Sequence, residues 1–119
     1  MSSGIYDINI DQGSSFKLYA TLMADDTTPT DLTGYSGVGQ IRLKANDVSH
    51  VASFNVSIVD AVAGKIEVTL TPAQTSVIPT KGNSYSEKMT YVYDIYLVNQ
   101  TDKIRVLNGK ALVSPTVTK

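Results

Sequence analysis

Apolar and polar residues alternate with a period of two along most of this chain. Phe16, Leu18, Ala20 and Leu22 alternate with Lys17, Tyr19, Thr21 and Met23. Phe54, Val56 and Ile58 alternate with Asn55 and Ser57, and Ile66, Val68 and Leu70 with Lys65, Glu67 and Thr69. Successive side chains of a strand point to opposite faces, so this pattern predicts half-buried β-strands. The stretches 90–99 and 103–114 add β-branched and aromatic residues, which suit a pleated sheet. Seven strands are predicted, near 4–10, 14–24, 36–45, 51–59, 64–70, 90–99 and 103–114, separated by turn-forming clusters such as "DQG", "DAVAG" and "NQTD". Many short strands in direct succession predict an all-β antiparallel sandwich rather than alternating βαβ units.

One segment departs from the alternation. In "TPAQTSVIP", Thr71 stands as an N-cap, Pro72 at the first helical position and Gln74 at the third. This is a capping box with proline where its missing N–H costs nothing. Pro79 ends the segment, so a short helical crossover is expected near 72–78, between the fifth and sixth strands. The polar run 80–88 reads as a mobile surface loop.

Strand parity makes a further distinction. If Phe16, Leu18 and Leu22 face the core, Tyr19 and Met23 point outward. In the sixth strand Asp94 should face away from the core, which turns Val92, Tyr96 and Val98 outward and leaves Tyr91, Tyr93, Ile95 and Leu97 inside. The last strand has apolar residues on both parities, Ile104, Val106 and Leu112 against Leu107, Ala111 and Val113. Either a partner covers an outer face, or a loop or bulge accounts for the second set. Tyrosine and methionine suit protein interfaces. Tyr19, Met23, Val92, Tyr96 and Val98 are therefore the candidate interface residues. They lie on two strands that a sandwich can place in opposite sheets, and so can mark two separate contacts.

Bulk properties narrow the function classes. The 119 residues form one expected domain, 1–119, long enough for a single core. There is no cysteine, which excludes a disulfide framework and thiolate zinc sites. Ten basic against eleven acidic residues give a net charge of −1, with no electrostatic footprint for nucleic acid. Charged residues are 18%, below the typical ~25%, and serine plus threonine make up 25 positions. Such a surface is compatible with neighbours that cover part of it. No apolar run is long enough to span a membrane, and the first residues lack the basic and apolar regions of a signal peptide.

Candidate chemistry is sparse. Gly34, Gly37 and Gly39 have the wrong order for a dinucleotide loop, lack a following Lys-Ser or Lys-Thr, and lead into a strand. Without a helix N-terminus, the amides that would hold phosphate are missing. The glycines are expected to shape a turn (Gly34) and to permit a bulge or close backbone approach (Gly37 and Gly39, sharing a face with Ile41 and Leu43). His50 is the one histidine and is expected in a solvated loop. Asp25, Asp26 and Asp31 share a loop and could hold calcium through oxygen ligands, but their spacing matches no EF-hand. Glu67 and Glu87 offer no paired carboxylates for glycosidase chemistry. The chain is therefore expected not to be an enzyme, and no cofactor, metal or small-molecule substrate is expected.

A set of ordered segments carries a resemblance. Asp11-Gln12-Gly13 precedes the second strand and Leu32-Thr33-Gly34-Tyr35 the third. Leu70-Thr71-Pro72-Ala73-Gln74-Thr75 opens the crossover, Tyr93-Asp94 lies in the sixth strand and Leu107-Asn108-Gly109-Lys110 in the last. Over nearly its whole length the chain resembles the small immunoglobulin-like β-sandwich domains of tailed-phage virion proteins, found in baseplate and tail-fibre-attachment components. The resemblance implies an immunoglobulin-like sandwich and a non-enzymatic virion structural protein, made in the host bacterial cytoplasm and packed against other phage structural proteins in multiple symmetric copies. It implies neither a nucleic-acid nor a membrane partner. The termini, "MSSGIYDINI" and "VSPTVTK", are candidate arms for strand addition to a neighbour. The alternative from another class is a carbohydrate-binding or host-adhesion module. The absence of tryptophan argues against it, and Tyr35 and Tyr85 in loops argue for it.

Overall fold

A computed structural model describes residues 4–118. The strands are β1 (Gly4–Ile5), β2 (Ile8–Asp11), β3 (Phe16–Thr21), β4 (Ser36–Arg42), β5 (Ala52–Ser53), β6 (Asn55–Asp60), β7 (Lys65–Leu70), β8 (Met89–Val98) and β9 (Lys103–Ser114), with one helix, α1 (Pro72–Ser76). They form two sheets. The larger runs β1-β9-β8-β4-β5 with β2 also on β9, and the smaller runs β3-β7-β6. All pairings are antiparallel except those of β1 and β2 with β9. With β3, β7 and β6 as strands B, E and D, and β4, β5, β8 and β9 as C, C′, F and G, this is an immunoglobulin-like sandwich.

The alternation read from the sequence becomes the two inner faces. Leu18, Ala20, Ile66, Val68 and Leu70 of the smaller sheet meet Ile41, Tyr93, Ile95 and Leu97 of the larger. Phe54 sits between the layers and packs edge-on against Tyr93, ring centroids 5.8 Å apart. It also marks where the chain changes sheets: β5 pairs with β4 and β6 with β7. The expected continuous strand over 51–59 is thus two short ones, joined at a residue whose N–H donates to Gly39 O.

Gly37 and Gly39 do share the inward face with Ile41. What approaches them, however, is chiefly side chain: Val56 at Gly37, and Ile95 and Phe54 at Gly39, where the Asp94 carbonyl is also close. Leu43 lies beyond the end of β4 and is exposed. Gly34 takes a positive φ of 86°, the turn conformation that favours glycine.

The crossover forms as the capping signal requires. Thr71 Oγ1 accepts from Gln74 N at 3.2 Å, and Gln74 Oε1 accepts from Thr71 N at 2.8 Å. Buried Thr75 Oγ1 donates to Ser14 O and accepts from Gly13 N, which pins the β2–β3 turn to the helix. Tyr91 Oη donates to the Pro79 carbonyl at the β8 end of the crossover. The bond ties strand F to the end of the helical segment twelve residues upstream.

The apolar parity of β9 needs no partner to cover it. The β8–β9 register shifts between Ile95 and Tyr96, which pair with Leu107 and Arg105, and Val106 is the extra residue. This bulge puts Ile104 on the inner side before it and Leu107, Ala111 and Val113 on the same side after it. Of the two apolar sets only Leu112, half-buried opposite Thr90, faces outward.

The expectation of free terminal arms is also corrected. Residues 4–5 and 8–11 pair with β9 of their own chain, and Tyr6 N donates to Asn108 O. At the other end, Val113 and Ser114 belong to β9, and Thr116 N donates to Gln12 Oε1. The outermost residues, 1–3 and 119, lie outside the described part. In-chain pairing satisfies the β9 edge that an arm would otherwise have had to find elsewhere.

Candidate interaction surface

The candidate residues occupy two different surfaces. Tyr19 and Met23 lie on the outer side of the smaller sheet and at its end. Val92, Tyr96 and Val98 lie on the outer face of the larger sheet. Tyr19 is 64% exposed and sits opposite Glu67 of β7. Its phenol is held above its ordinary pKa by hydrogen bonding to Glu67 and by that carboxylate's charge. Met23 bridges to Pro29 across a loop whose base is closed by Thr30 N donating to Leu22 O.

The outer face of the larger sheet is built by strict alternation in β8. Tyr91, Tyr93, Ile95 and Leu97 are buried, while Val92, Asp94, Tyr96 and Val98 between them are half-buried and outward. The registers of β4 and β9 then fix rows across the face. Tyr96 stands between Val38 and Arg105, Asp94 between Gln40 and Asn108, Val92 between Arg42 and Lys110, and Val98 between Ser36 and Lys103. The face is a band of aliphatic and phenolic groups flanked by cations.

The polar groups on it are partly paired with one another. Arg105 Nη1 lies 4.0 Å from Asp94 Oδ2, an exposed pair worth about 0–1 kcal/mol. Arg42 donates to Gln40 Oε1 at 2.6 Å and to the Asp47 carbonyl at 3.1 Å, both neutral acceptors, so its charge is not compensated there. Lys103 Nζ lies 4.8 Å from the centroid of the Tyr96 ring, a cation–π contact that occupies the ring face a sugar would stack on. A shallow hollow of about 560 Å³ runs over the face between Gln40, Arg42, Asp94, Tyr96 and Lys103.

The acid-rich loop uses its carboxylates for its own shape. Asp25 Oδ1 accepts the N–H groups of Thr27 and Thr28 at 2.9 and 2.8 Å, and Asp31 Oδ1 accepts from Thr33 N and Oγ1. These bonds hold both carboxyls below the usual carboxylate range. Among the described residues, no three His, Asp or Glu side chains come together as metal ligands. His50 is exposed, and Glu67 and Glu87 belong to separate elements, β7 and the 77–88 connection.

No protein-family model and no curated protein matches the chain. Among solved structures, it is similar to that of the NK cell receptor Nkp44, described as a triggering partner in natural cytotoxicity. The two share 10% identity over 98% of this chain and 100% of the other, with a TM-score of 0.40. Likeness at that level bears on neither ancestry nor function.

Sequence reasoning did not single out Gln40, Arg42, Lys103, Arg105 or Lys110 for this surface. The parity of β8 was the available signal for the face. The cations of β9 could not be assigned to it until the bulge at Val106 was known.

Proposed function

We propose that the chain is a non-enzymatic structural protein of a tailed-phage particle, a baseplate or tail component that packs against other virion subunits. The observation that carries this reading is the outer face of the larger sheet. Val92, Tyr96 and Val98 form a half-buried band with a flanking row of cations, on a rigid sandwich whose own core does not use them. Tyrosine and arginine anchors beside aliphatic groups are the composition of protein contact surfaces. The virion assignment draws its support from the ordered segments that resemble phage baseplate and tail domains. In this role the sandwich works by position: it holds two chemically distinct surfaces at fixed orientation so that neighbours are placed relative to one another.

Antibody raised against the chain and applied to purified particles tests the placement. Labelling at one end of the tail supports it. Particles without label, with all antigen left in the soluble lysate, would overturn it. A glycan array run in parallel separates this reading from sugar binding: silence is expected, and a single strong sugar hit would favour the adhesion module.

A further inference from the structure

The hairpin that carries Met23 and the outer face of the larger sheet have opposite charge. The β3–β4 loop ends in a small hairpin. Met23 bridges to Pro29, Ala24 N donates to Thr28 O at 2.8 Å, and Asp25 caps the turn. Asp25 and Asp26 form its tip. Asp31 and Asp60 stand at its base, where Leu32 N donates to Ala61 O, and Lys65 is the cation paired in register with Asp60. The outer face of the larger sheet is the converse. Arg42, Lys103, Arg105 and Lys110 surround one carboxylate, Asp94. Asp7 and Asp47 at its rim accept the backbone N–H groups of Lys110 and Lys44.

We infer that copies of this chain associate head to tail, the acidic 23–29 hairpin of one copy seated in the basic hollow on the outer sheet face of the next. Three features of the molecule converge on a second copy as the occupant. Asp25 and Asp26 at the tip, with Asp31, Asp60 and Lys65 at its base, complement the four cations and Asp94 of the face, whose rim adds the carboxylates of Asp7 and Asp47, in a chain whose net charge is only −1. The tip is convex and held by its own hydrogen bonds, while the face is a shallow hollow of about 560 Å³ that continues past Asp94 toward Lys110. Each surface also brings apolar groups, Met23 and Pro29 on one side, Val92, Tyr96 and Val98 on the other.

Face-to-face pairing of two larger sheets would oppose like charges, so a two-fold contact through this surface is disfavoured. A contact between two different patches is heterologous, and it propagates until the rotation closes a ring or an open array forms. A loop tip in a hollow buries less than the roughly 800 Å² per partner of a standard interface, so each contact is weak and closure supplies the avidity. The inference rests on reading these faces as contact surfaces, but not on the particle in which the chain is placed.

Sedimentation velocity on the purified chain tests it. At about 50 mM salt, mass is expected to grow beyond the dimer with concentration, and the association to weaken about tenfold or more by about 500 mM. Asp26→Lys and the pair Lys103→Glu with Arg105→Glu are each expected to weaken it about tenfold or more. These side chains are exposed, and circular dichroism and melting curves check that each variant folds. An equimolar mixture of the two variants is expected to recover part of the growth, because the ammonium that Asp26→Lys brings to one tip then meets the carboxylates of the substituted face, while the native tip meets the native face. If the double variant fails to fold, Lys103→Gln with Lys110→Gln reads the same loss in smaller measure. A chain that stays monomeric at low salt up to about 0.1 mM would overturn the inference, as would association that none of these variants moves. Either result on the purified chain is independent of particle labelling, so the two proposals fail separately.

Discussion

A Cβ placed on Gly37 would stand 2.1 Å from Val56 Cγ1, so the two sheets of the sandwich meet at a position where only glycine fits. The glycine-rich stretch from Gly34 to Gly39 is thus scaffold: one turn glycine with positive φ, one that lets the two sheets close, and one that makes room for Ile95 of its own sheet and for Phe54. Gly37→Ala is expected to destabilise the fold by about 1–3 kcal/mol through overpacking. Val56→Ala in the same chain should recover part of that loss, because it removes the clashing methyls. Urea denaturation of the two single variants and the double variant measures the coupling. Additive costs would contradict the contact.

The bond from Tyr91 to the Pro79 carbonyl ties the start of β8 to the end of the crossover. Tyr91→Phe keeps the ring in the core but leaves the carbonyl without that donor. A loss of about 1–2 kcal/mol is expected, with little change in the cooperativity of unfolding. An unchanged urea midpoint would show that solvent replaces the bond at no cost.

Tyr93 Oη donates to the Tyr6 carbonyl, which fastens the β1–β2 connection to the body of the sheet. Burial pushes this phenol up to about 12, with the Asp7 carboxylate and Tyr6 adding to the shift. In the unfolded chain it ionises near 10. Below that pH both states hold the proton and the full contribution to stability is present. As pH rises from about 10 through about 12, the unfolded state loses the proton first, so stability falls. Melting temperature measured from pH 8 to about 11.5 should decline more steeply for the native chain than for Tyr93→Phe. Parallel curves would contradict the shift.

How much of this was legible in the sequence varies by element. The parity of β8, the inward set of β3 and β7, and the helix start at Thr71 were readable, because each depends on residues close together in the chain. Asp94 sufficed to orient β8, since a carboxylate avoids an apolar interior. The misreadings all concern distant pairings. The extra residue Val106 could be seen only against the register of β8, and before that the apolar residues of β9 looked two-sided. The segment around Ile8 and Ile10 looked like a free arm because a parallel pairing with β9 leaves no local turn signal. Phe54, inside a clean alternation, gave no sign that the chain changes sheets there. For the interaction surface, β8 supplied the apolar band, while the cations beside it come from strands whose register only the fold defines.

The outer face of the larger sheet is proposed above as a contact surface within an assembled particle. Tyr96 stands in that face, half-buried between Val38 and Arg105 and under the Lys103 ammonium, and supports nothing in the core. The most direct measurement is the amount of Tyr96→Asp chain recovered in purified particles, against the native chain, by quantitative immunoblot. The variant is expected to melt within about 2 °C of the native chain yet to be recovered in particles at about one-tenth of its level or less, an order-of-magnitude loss expected for a central interface aromatic. Recovery equal to the native chain would contradict it.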